Sequence, residues 1–285
     1  MEQQNLLRDI QSAYNQFTKA EKKVADFVLK QPEQVIFMSI SDLSEACKVA
    51  DASVHRFCRT MKLKGYQEFK MKVSISLHAN QNSERDLHVR ESHSSSIVEL
   101  AARIMNRSIT ALKETNELLD EKQLEKTLCL MQEAENIYFF GIGDSLLTAQ
   151  EANNKFMRIT RKVHCITDPH MQAMSAAMAD SSDLIIIVSY SGATKDNIHV
   201  AQLAKKAGAS IAAITRFVKS PLTAYADAVL LCGSDEDPLD GGSMSTKLGQ
   251  LYLIDILFQE YYKRNEKESV HNNQISASAV AEKLY

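Results

Sequence analysis

The chain of 285 residues has no tryptophan, only four prolines and nine glycines, and no long run of apolar side chains. Its hydrophobic fraction of 45% is too high for a disordered chain. Strongly apolar stretches such as Leu184–Val188 are far shorter than the roughly 20 residues that cross a bilayer. Met1–Asp9 lacks the basic and apolar parts of a signal peptide. We therefore expect neither a secreted nor a membrane-spanning protein, and the length predicts two domains.

Cysteine is also scarce, and its pattern excludes the usual cysteine-based sites. The five cysteines, at positions 47, 58, 129, 165 and 232, form no C-x-x-C pair and leave an odd count. Such cysteines are typical of small buried side chains in a reducing compartment. No His or Cys pair has ligand spacing on one predicted element. We expect a cytoplasmic protein without structural disulfides, metal sites or a bound cofactor.

The formal net charge of −3 hides two regions of opposite charge. Residues 1–78 hold 12 basic and 9 acidic side chains, a net +3, whereas residues 79–285 have a net −6. Between the regions, 79–96 contains only Leu87 and Val89 as large aliphatic residues and has no helical or strand period. We predict a basic domain at 1–78, a linker at 79–96, an acidic domain at 97–262 and a loose polar tail at 263–285, with room for a short helix before Tyr285.

The hydrophobic patterns of the two domains predict different fold classes. Residues 1–78 have helical spacing and almost no β-branched runs, which predicts an all-α domain. In the second domain, helical patterns alternate with short apolar segments at 137–140, 163–166, 184–188, 211–214 and 229–232. Five strands separated by room for crossover helices predict an α/β doubly wound domain with a five-stranded parallel sheet. Further helices are predicted at about 97–119, 121–133 and 243–262.

Two capping signals and a short turn predict a helix-turn-helix in the basic domain. Thr18 with Glu21, and Ser39 with Asp42, have capping-box spacing, and a third helix is predicted to begin near Asp51. On a wheel of about 100° per residue, the apolar residues of this third helix form one stripe. The opposite arc and the chain beyond it carry donors for base edges and phosphates, and 48–72 has a local net charge of +5. The predicted DNA-binding residues are Ser53, His55, Arg56, Arg59, Thr60, Lys62 and Lys64. A solvated helix of a small bundle is the alternative interpretation.

Two loops that follow predicted strands combine glycine with hydroxyl side chains: GIGDS at 141–145 and SYSGAT at 189–194. Helix N-terminal amides and hydroxyls can hold a phosphate ester without a full compensating cation. A dinucleotide fingerprint is incomplete, because Leu146 stands where a third glycine is needed. An ordinary serine-rich turn explains one such loop easily, but two at adjacent strand ends would be a coincidence. The loops therefore favour a phosphate-ester site.

The segment from Thr18 to Lys70 closely resembles the N-terminal domain of the RpiR family of bacterial transcription regulators. GIGDS, SYSGAT and the later SMSTKLGQLYLIDILF resemble the sugar isomerase (SIS) domain that follows it in that family. The resemblance covers roughly residues 15 to 262 and implies operator binding as a dimer and binding of a sugar phosphate. The effector-binding residues that it implies are Gly141, Gly143, Ser145, Ser189, Ser191, Gly192 and Thr194.

Three positions depart from the family pattern. The turn usually has Gly where this chain has Lys48 and a capping Ser where it has Ala50, so Asp51 is expected to take over the cap. In many family members an Arg occupies the place of Asp240. That change puts a charge contact from this position in doubt and points to a different ligand or an altered signal path.

These observations predict a DNA-binding transcriptional regulator of sugar metabolism, not an enzyme, that senses a phosphorylated sugar. We expect its partners to be operator DNA, a sugar-phosphate effector and further copies of itself, as a dimer or a dimer of dimers. An isomerase would need a base, and the candidates Glu151, His164, His170 and His199 have no acid/base partner at a defined spacing. Two alternatives remain: a sugar-phosphate isomerase with a helical accessory domain, and a non-enzymatic sensor that acts on another protein.

Overall fold

The computed structural model describes residues 5–88, 96–233, 243–281 and 283. The chain divides into two compact units, and the boundary, after Asn106, lies inside a helix. The helices of the first part are α1 (Leu6–Ala13), α2 (Lys19–Lys30), α3 (Pro32–Val35), α4 (Ile40–Ala46), α5 (Asp51–Thr60) and α6 (Tyr66–His88). Within the described residues, no helix has both the length and the apolar character needed to cross a membrane.

Local chemistry explains where the first helices begin. Both predicted capping boxes are confirmed: the Thr18 hydroxyl accepts from the Glu21 amide, and the Ser39 hydroxyl accepts from the Asp42 amide. In each box the carboxylate accepts from the backbone amide of the capping residue, at 2.8 Å for Thr18 and 2.9 Å for Ser39. Two of the donors that a helix start leaves unpaired are satisfied in this way.

A cluster of aromatic rings holds the helical unit together. Phe57 on α5 is fully buried and contacts Phe17 and Phe69 edge-on, with ring centroids 5.2 and 5.8 Å apart. Val54 and Cys58, its neighbours on the same helix face, are also fully buried, as the wheel predicts. Burial of one such large side chain contributes about 1.5–3 kcal/mol. The opposite face of α5 is therefore fixed toward solvent.

The second part contains a parallel sheet flanked by helices. Its helices are α7 (Ile97–Glu117), α8 (Glu121–Glu133), α9 (Asp144–Phe156), α10 (Pro169–Met178), α11 (Lys195–Ala207), α12 (Met244–Arg264) and α13 (Glu266–Ala281). Its strands are β1 (Asn136–Gly141), β2 (Val163–Cys165), β3 (Asp183–Val188), β4 (Ser210–Thr215) and β5 (Ala228–Leu231). All pair in parallel, in the order β2-β1-β3-β4-β5. The predicted five-stranded doubly wound domain is confirmed.

The sheet has one apolar core on each face. Ile186 on β3 belongs to the cluster that contains α9 and α12 residues, whereas its neighbours Ile185 and Ile187 belong to the cluster with α10 and α11. All six residues of β3 are buried, as expected for a central strand covered by helices on both sides. The apolar run that marked this strand in the sequence is thus a consequence of its position.

Two predictions about irregular segments were wrong. Residues 79–88 of the expected linker are helical and continue α6, while 89–95 lie outside the described residues. Most of the expected loose tail forms α13, which is attached by side-chain bonds from Asn272 to the Ile159 carbonyl (2.9 Å) and from Ser276 to the Arg158 carbonyl (3.0 Å). A helix attached through polar groups has no apolar stripe, so its periodicity is weak. The domain limits at 78 and 97 stay a prediction.

Candidate functional site

The exposed face of α5 carries most of the predicted DNA-binding residues. His55, Arg56, Arg59 and Thr60 are exposed, as the wheel predicts. Ser53 is not: it is only 6% exposed, and its hydroxyl accepts from Arg56 Nη2 at 3.2 Å. Its expected place on the exposed arc was wrong, because it lies about 40° from Phe57, at the edge of the buried stripe. Ser53 therefore orients Arg56 and does not itself face solvent.

The hydroxyl of Thr60 is engaged inside the unit. It donates to Glu21 Oε1 at 2.6 Å, and the other oxygen of the same carboxylate closes the capping box of α2. Burial raises the pKa of Glu21, but the hydrogen bonds from Thr60 and Thr18 outweigh it, so the net pKa lies below its ordinary value. An ionised Glu21 thus holds the end of α5 against the start of α2.

Asp51 joins the two helices of the helix-turn-helix. The expectation that it caps α5 was wrong: Ala50 is the N-cap and makes no side-chain bond. The Asp51 carboxylate instead accepts from the hydroxyls of Ser41, at 2.9 Å, and Ser44, both on α4. Because Asp51 stands in the first turn of α5, this contact fixes the angle between α4 and α5.

Basic residues continue beyond α5 with different environments. Lys62 and Lys64 are exposed, and the backbone amide of Lys64 donates to the Glu68 carboxylate at 2.6 Å. Lys70 is only 5% exposed, and its ammonium donates to the Met38 carbonyl at 3.1 Å. The positive surface beside α5 is therefore formed by Lys62 and Lys64 together with the two arginines of the helix.

The two hydroxyl-rich loops lie side by side in the second unit. Gly141, the last residue of β1, pairs with Val188, the last residue of β3, so GIGDS and SYSGAT leave neighbouring strands at the same level. From β1 the chain crosses to β2 on one side, and from β3 it crosses to β4 on the other. This is a topological switch point, where open α/β sheets form a ligand crevice.

The helices that follow these loops have free N-termini. Gly143 is the N-cap of α9 and Thr194 is the N-cap of α11, and neither makes a side-chain capping bond. By contrast, Asp168 caps the neighbouring α10 through the Met171 amide at 3.0 Å. Amides in the first turns of α9 and α11 are therefore available to an anion, which the helix dipoles also favour. Ser145 lies in the first turn of α9 and Thr194 at the start of α11, so both hydroxyls stand at these termini.

The serines of SYSGAT differ in their surroundings. Ser189 is 2% exposed, and its hydroxyl has no hydrogen-bond partner among the described residues. The Ser191 hydroxyl accepts from the Ala193 amide at 3.2 Å, which shapes the turn. Because buried polar groups are almost always paired, the Ser189 hydroxyl, unlike that of Ser191, needs a ligand or water as its partner.

The space around the three glycines of these loops differs. Gly143 has φ 61° and ψ −127°, a conformation that favours glycine, and the space where a Cβ would stand is open. At Gly141 a Cβ would lie 2.7 Å from the Ser145 carbonyl oxygen, and at Gly192 it would lie 2.2 Å from Ser220 Oγ. Two of the glycines thus admit neighbouring protein atoms, and only Gly143 leaves open space for a ligand.

Two residues at the crevice were missed at the level of sequence. Gln172 on α10 donates through Nε2 to the carbonyls of Gly141 (3.1 Å) and Ile166 (2.7 Å), while its Oε1 is buried without a partner in the described part of the chain. Lys247 on α12 forms an ion pair with Asp144 of GIGDS at 3.0 Å. Lys247 was visible in the SMSTK run, but its position depends on contacts between elements far apart in sequence.

The candidate bases have different surroundings. His164 contacts Asn136 Oδ1 at 3.3 Å. Asn136 is the first residue of β1, so this contact lies at the amino ends of the strands, whereas the loops follow their carboxyl ends. Glu151, His170 and His199 are exposed. Within the described residues no group of three His, Cys, Asp or Glu side chains is placed to hold a metal ion. Asp240 lies outside the described residues.

Comparisons with known proteins agree with this architecture. The model of the rpiR-family helix-turn-helix domain matches residues 4–80, and the SIS domain model matches 130–259. An HTH-type transcriptional regulator of Haemophilus influenzae is 35% identical over 98% of this chain and 97% of its own length. HexR of Pseudomonas aeruginosa is 32% identical over 89% of this chain and 87% of its own. The structure of Vibrio vulnificus NanR complexed with ManNAc-6P has a TM-score of 0.87 and 29% identity, and covers 98% of this chain and 99% of its own.

These similarities extend over both units and nearly the whole chain, and they confirm the predicted order of a helix-turn-helix followed by a SIS domain. The chain belongs to the rpiR family of helix-turn-helix transcriptional regulators that carry a SIS domain.

Proposed function

We propose that this regulator binds a sugar phosphate in the crevice between GIGDS and SYSGAT, and that binding changes how its helix-turn-helix engages operator DNA. The observation that carries the proposal is the pair of uncapped helix N-termini, those of α9 and α11, at one switch point of the sheet. Two such termini present several N–H groups and two dipoles to one anion. The similarity to NanR, whose structure was solved with ManNAc-6P, supports a phosphorylated sugar as the effector class.

The phosphate is held by the residues that surround these termini. We assign the hydroxyls of Ser145, Ser191 and Thr194 to its oxygens, together with the Ser189 hydroxyl, which otherwise has no partner among the described residues. Gly143 allows the anion to approach the backbone. Lys247 supplies a nearby cation, at present paired with Asp144. Hydrogen bonds to a charged group contribute about 1.5–3 kcal/mol each, so a few of them account for useful affinity.

DNA recognition is assigned to the exposed face of α5. Arg56 and Arg59 can make bidentate contacts with guanine in the major groove, and His55 is exposed on the same face. Lys62 and Lys64 follow the helix and are placed to contact phosphates. Thr60 and Ser53 support the helix through Glu21 and Arg56 instead of reading DNA directly.

We propose that the protein is not an enzyme. The amides and hydroxyls of the crevice bind a phosphate but do not move a proton between carbon atoms, and its carboxylate, that of Asp144, is paired with Lys247. His164, the one candidate base on a strand, lies beside the start of β1 and away from the loops. Incubation of the purified protein with ketose and aldose phosphates should give no interconversion. Measurable turnover, without salt-dependent DNA binding, would favour the isomerase alternative.

We further propose that the regulator works as a homodimer in the cytoplasm. Helix α7 carries exposed apolar side chains, and most of them fall on one side of a helix: Ile97, Val98, Leu100, Ile104, Met105 and Ile109. A contiguous apolar surface of this kind usually marks an interaction site. A second copy of the chain would cover it and place two recognition helices on a palindromic operator. Light scattering on the full chain should give twice the mass of one chain, and Ile104→Glu should reduce it.

The test of the proposal combines DNA and effector titrations on the full chain. An operator is selected from random duplexes, and its affinity is measured by fluorescence anisotropy over a range of salt concentrations. Arg56→Ala and Arg59→Ala should each lose about 1–3 kcal/mol where a bidentate contact is removed. Arg161→Ala, an exposed arginine of the other unit, is the matched control and should bind normally.

The effector arm uses the same assay with a panel of sugar phosphates. One of them should shift operator affinity in the native protein, while Ser189→Ala and Ser191→Ala should retain DNA binding and lose the shift. Operator affinity that stays constant across the panel, although one compound demonstrably binds, would overturn the proposed coupling between the two sites.

A further inference from the structure

Two lysines beside the recognition helix have a backbone conformation that suits glycine. Lys48 has φ 52° and Lys62 has φ 60°, and they are the two non-glycine residues with positive φ in the described part of the chain. In this left-handed region the Cβ of any L-residue crowds the following carbonyl oxygen, which makes the conformation unfavourable. A backbone that requires it is normally served by glycine.

Both lysines occupy the same position in the same kind of helix end. The Lys48 amide donates to the Glu45 carbonyl (3.0 Å), and the next amide donates to the Ser44 carbonyl (2.9 Å). At the end of α5, the Lys62 amide donates to the Arg59 carbonyl (2.9 Å), and the next amide donates to the Cys58 carbonyl (2.9 Å). This is the Schellman arrangement, in which the residue after the C-cap is left-handed. The closure uses backbone atoms only, so the lysine side chains contribute nothing to it.

The charge at these positions adds to a region that is already positive. Both side chains are exposed, and they stand in the 48–72 region, which has a net charge of +5. A third ammonium, that of Lys23, donates to the Lys48 carbonyl at 3.5 Å and adds to the positive field of the turn. The backbone conformation therefore favours glycine at position 48, while the chain has lysine. Residues held in such unfavourable conformations are concentrated at functional sites.

The positions of the two lysines relative to α5 suggest what they bind. Lys48 precedes the N-terminus of α5 and Lys62 follows its C-terminus. The helix has 10 residues and is therefore about 15 Å long, close to the roughly 12 Å width of the DNA major groove. A helix that lies across this groove has one end near each sugar-phosphate strand. In that orientation Lys48 and Lys62 stand at opposite walls of the groove.

We propose that Lys48 and Lys62 form a phosphate clamp, in which each contacts a phosphate of a different strand at one end of the recognition helix. The inference rests on the proposed function, since it requires α5 to bind in the major groove. It adds Lys48 to the DNA-contacting residues and assigns a role to the unfavourable backbone at both positions. The clamp contributes affinity and orientation and reads no base.

The substitutions Lys48→Gly and Lys62→Gly test the clamp, because they separate folding from binding. Each removes an unfavourable conformation, so each should raise the melting temperature of the full chain, and each also removes one charge from the DNA-facing region. Each should also lower the slope of log affinity against log salt by about 0.9, the value for one lost phosphate contact, and weaken operator binding roughly fivefold to tenfold at 0.1 M salt. Preference among operator sequences should not change.

Two controls isolate the charge. Lys48→Arg and Lys62→Arg retain it and should preserve the salt slope, whereas Lys30→Ala removes an exposed charge from α2 and should leave the slope unchanged. Native protein that shows no salt-dependent operator binding would refute the proposed function itself. Normal binding by the native protein, with unchanged slopes in both glycine variants, would refute the clamp alone. A lower melting temperature in the glycine variants would refute its conformational premise.

Discussion

Substitution of Gly192 by alanine tests how the phosphate loop is built. Gly192 has φ 57°, and a Cβ there would stand 2.2 Å from Ser220 Oγ and 2.7 Å from Ser220 Cβ. The left-handed conformation costs about 1–2 kcal/mol for a residue with a Cβ, and forcing an extra methyl into a filled space costs about 1–3 kcal/mol. We expect Gly192→Ala to lower the free energy of unfolding by about 2–5 kcal/mol. The Leu222 amide donates to the Gly192 carbonyl at 3.0 Å, so the shift should also displace the loop that is proposed to hold the effector.

The steric part of this cost can be separated with a second substitution. Ser220→Gly removes both clashing atoms, at its own cost of about 1 kcal/mol for the lost bond from the Thr223 amide. In that background Gly192→Ala should cost only the conformational part, so the double-mutant cycle should give a coupling of about 1–3 kcal/mol. Urea unfolding can be followed by tyrosine fluorescence, since the chain has nine tyrosines and no tryptophan. If the free-energy costs of the two substitutions simply add, to within about 0.5 kcal/mol, a clash with Ser220 is not the reason that position 192 requires glycine.

Three further substitutions test individual contacts. Ser189→Ala should weaken sugar-phosphate binding at least tenfold in calorimetry yet leave the ligand-free melting temperature unchanged or higher, because the buried hydroxyl has no partner among the described residues; a large loss of ligand-free stability would contradict this. Lys247→Met should weaken effector binding and Asp144→Asn should strengthen it; equal effects of the same sign would exclude a charge role for the pair. Glu21→Gln should flatten the loss of stability in acid. Burial raises the pKa of Glu21, but the hydrogen bonds from Thr60 and Thr18 lower it by a larger amount, so the net pKa lies below the ordinary 4.5. Stability is therefore lost as the pH falls below about 4.5 and passes through the pKa of the folded state. Urea unfolding from about pH 6 to about pH 3 measures the difference, and an identical acid loss in the variant would contradict it.

Local patterns were sufficient for the strands and the capping boxes. The five strands lie within one residue of their predicted limits because each coincides with a short, mostly apolar run, and both capping boxes depend on residues only three positions apart. The continuation of α6 and the presence of α13 were not predictable in this way. Both segments are polar, and α13 is held by bonds such as that between Asn272 and the Ile159 carbonyl, 113 residues away.

The candidate sites show the same division between local and long-range information. The arginines of α5 were predictable because their exposure follows from the helical period alone. The burial of Ser53 was not, since a residue at the edge of a stripe is decided by its neighbours. The pair between Lys247 and Asp144 joins residues 103 positions apart and requires α12 to pack beside α9, where Thr148 also contacts Gln250 at 2.9 Å. No pattern within either segment encodes that alignment.

That ion pair also suits the proposed phosphate site of an acidic domain. Residues 79–285 have a net charge of −6, so attraction of an anion must come from groups close to it. The free N-termini of α9 and α11 supply fixed partial charges, and Lys247 supplies a full one that is paired with Asp144. A singly charged anion gains little binding energy when it competes with this carboxylate for Lys247. A phosphate dianion gains more, because its oxygens accept hydrogen bonds from several protein donors. The pair therefore lowers affinity for all anions but discriminates in favour of the doubly charged ester.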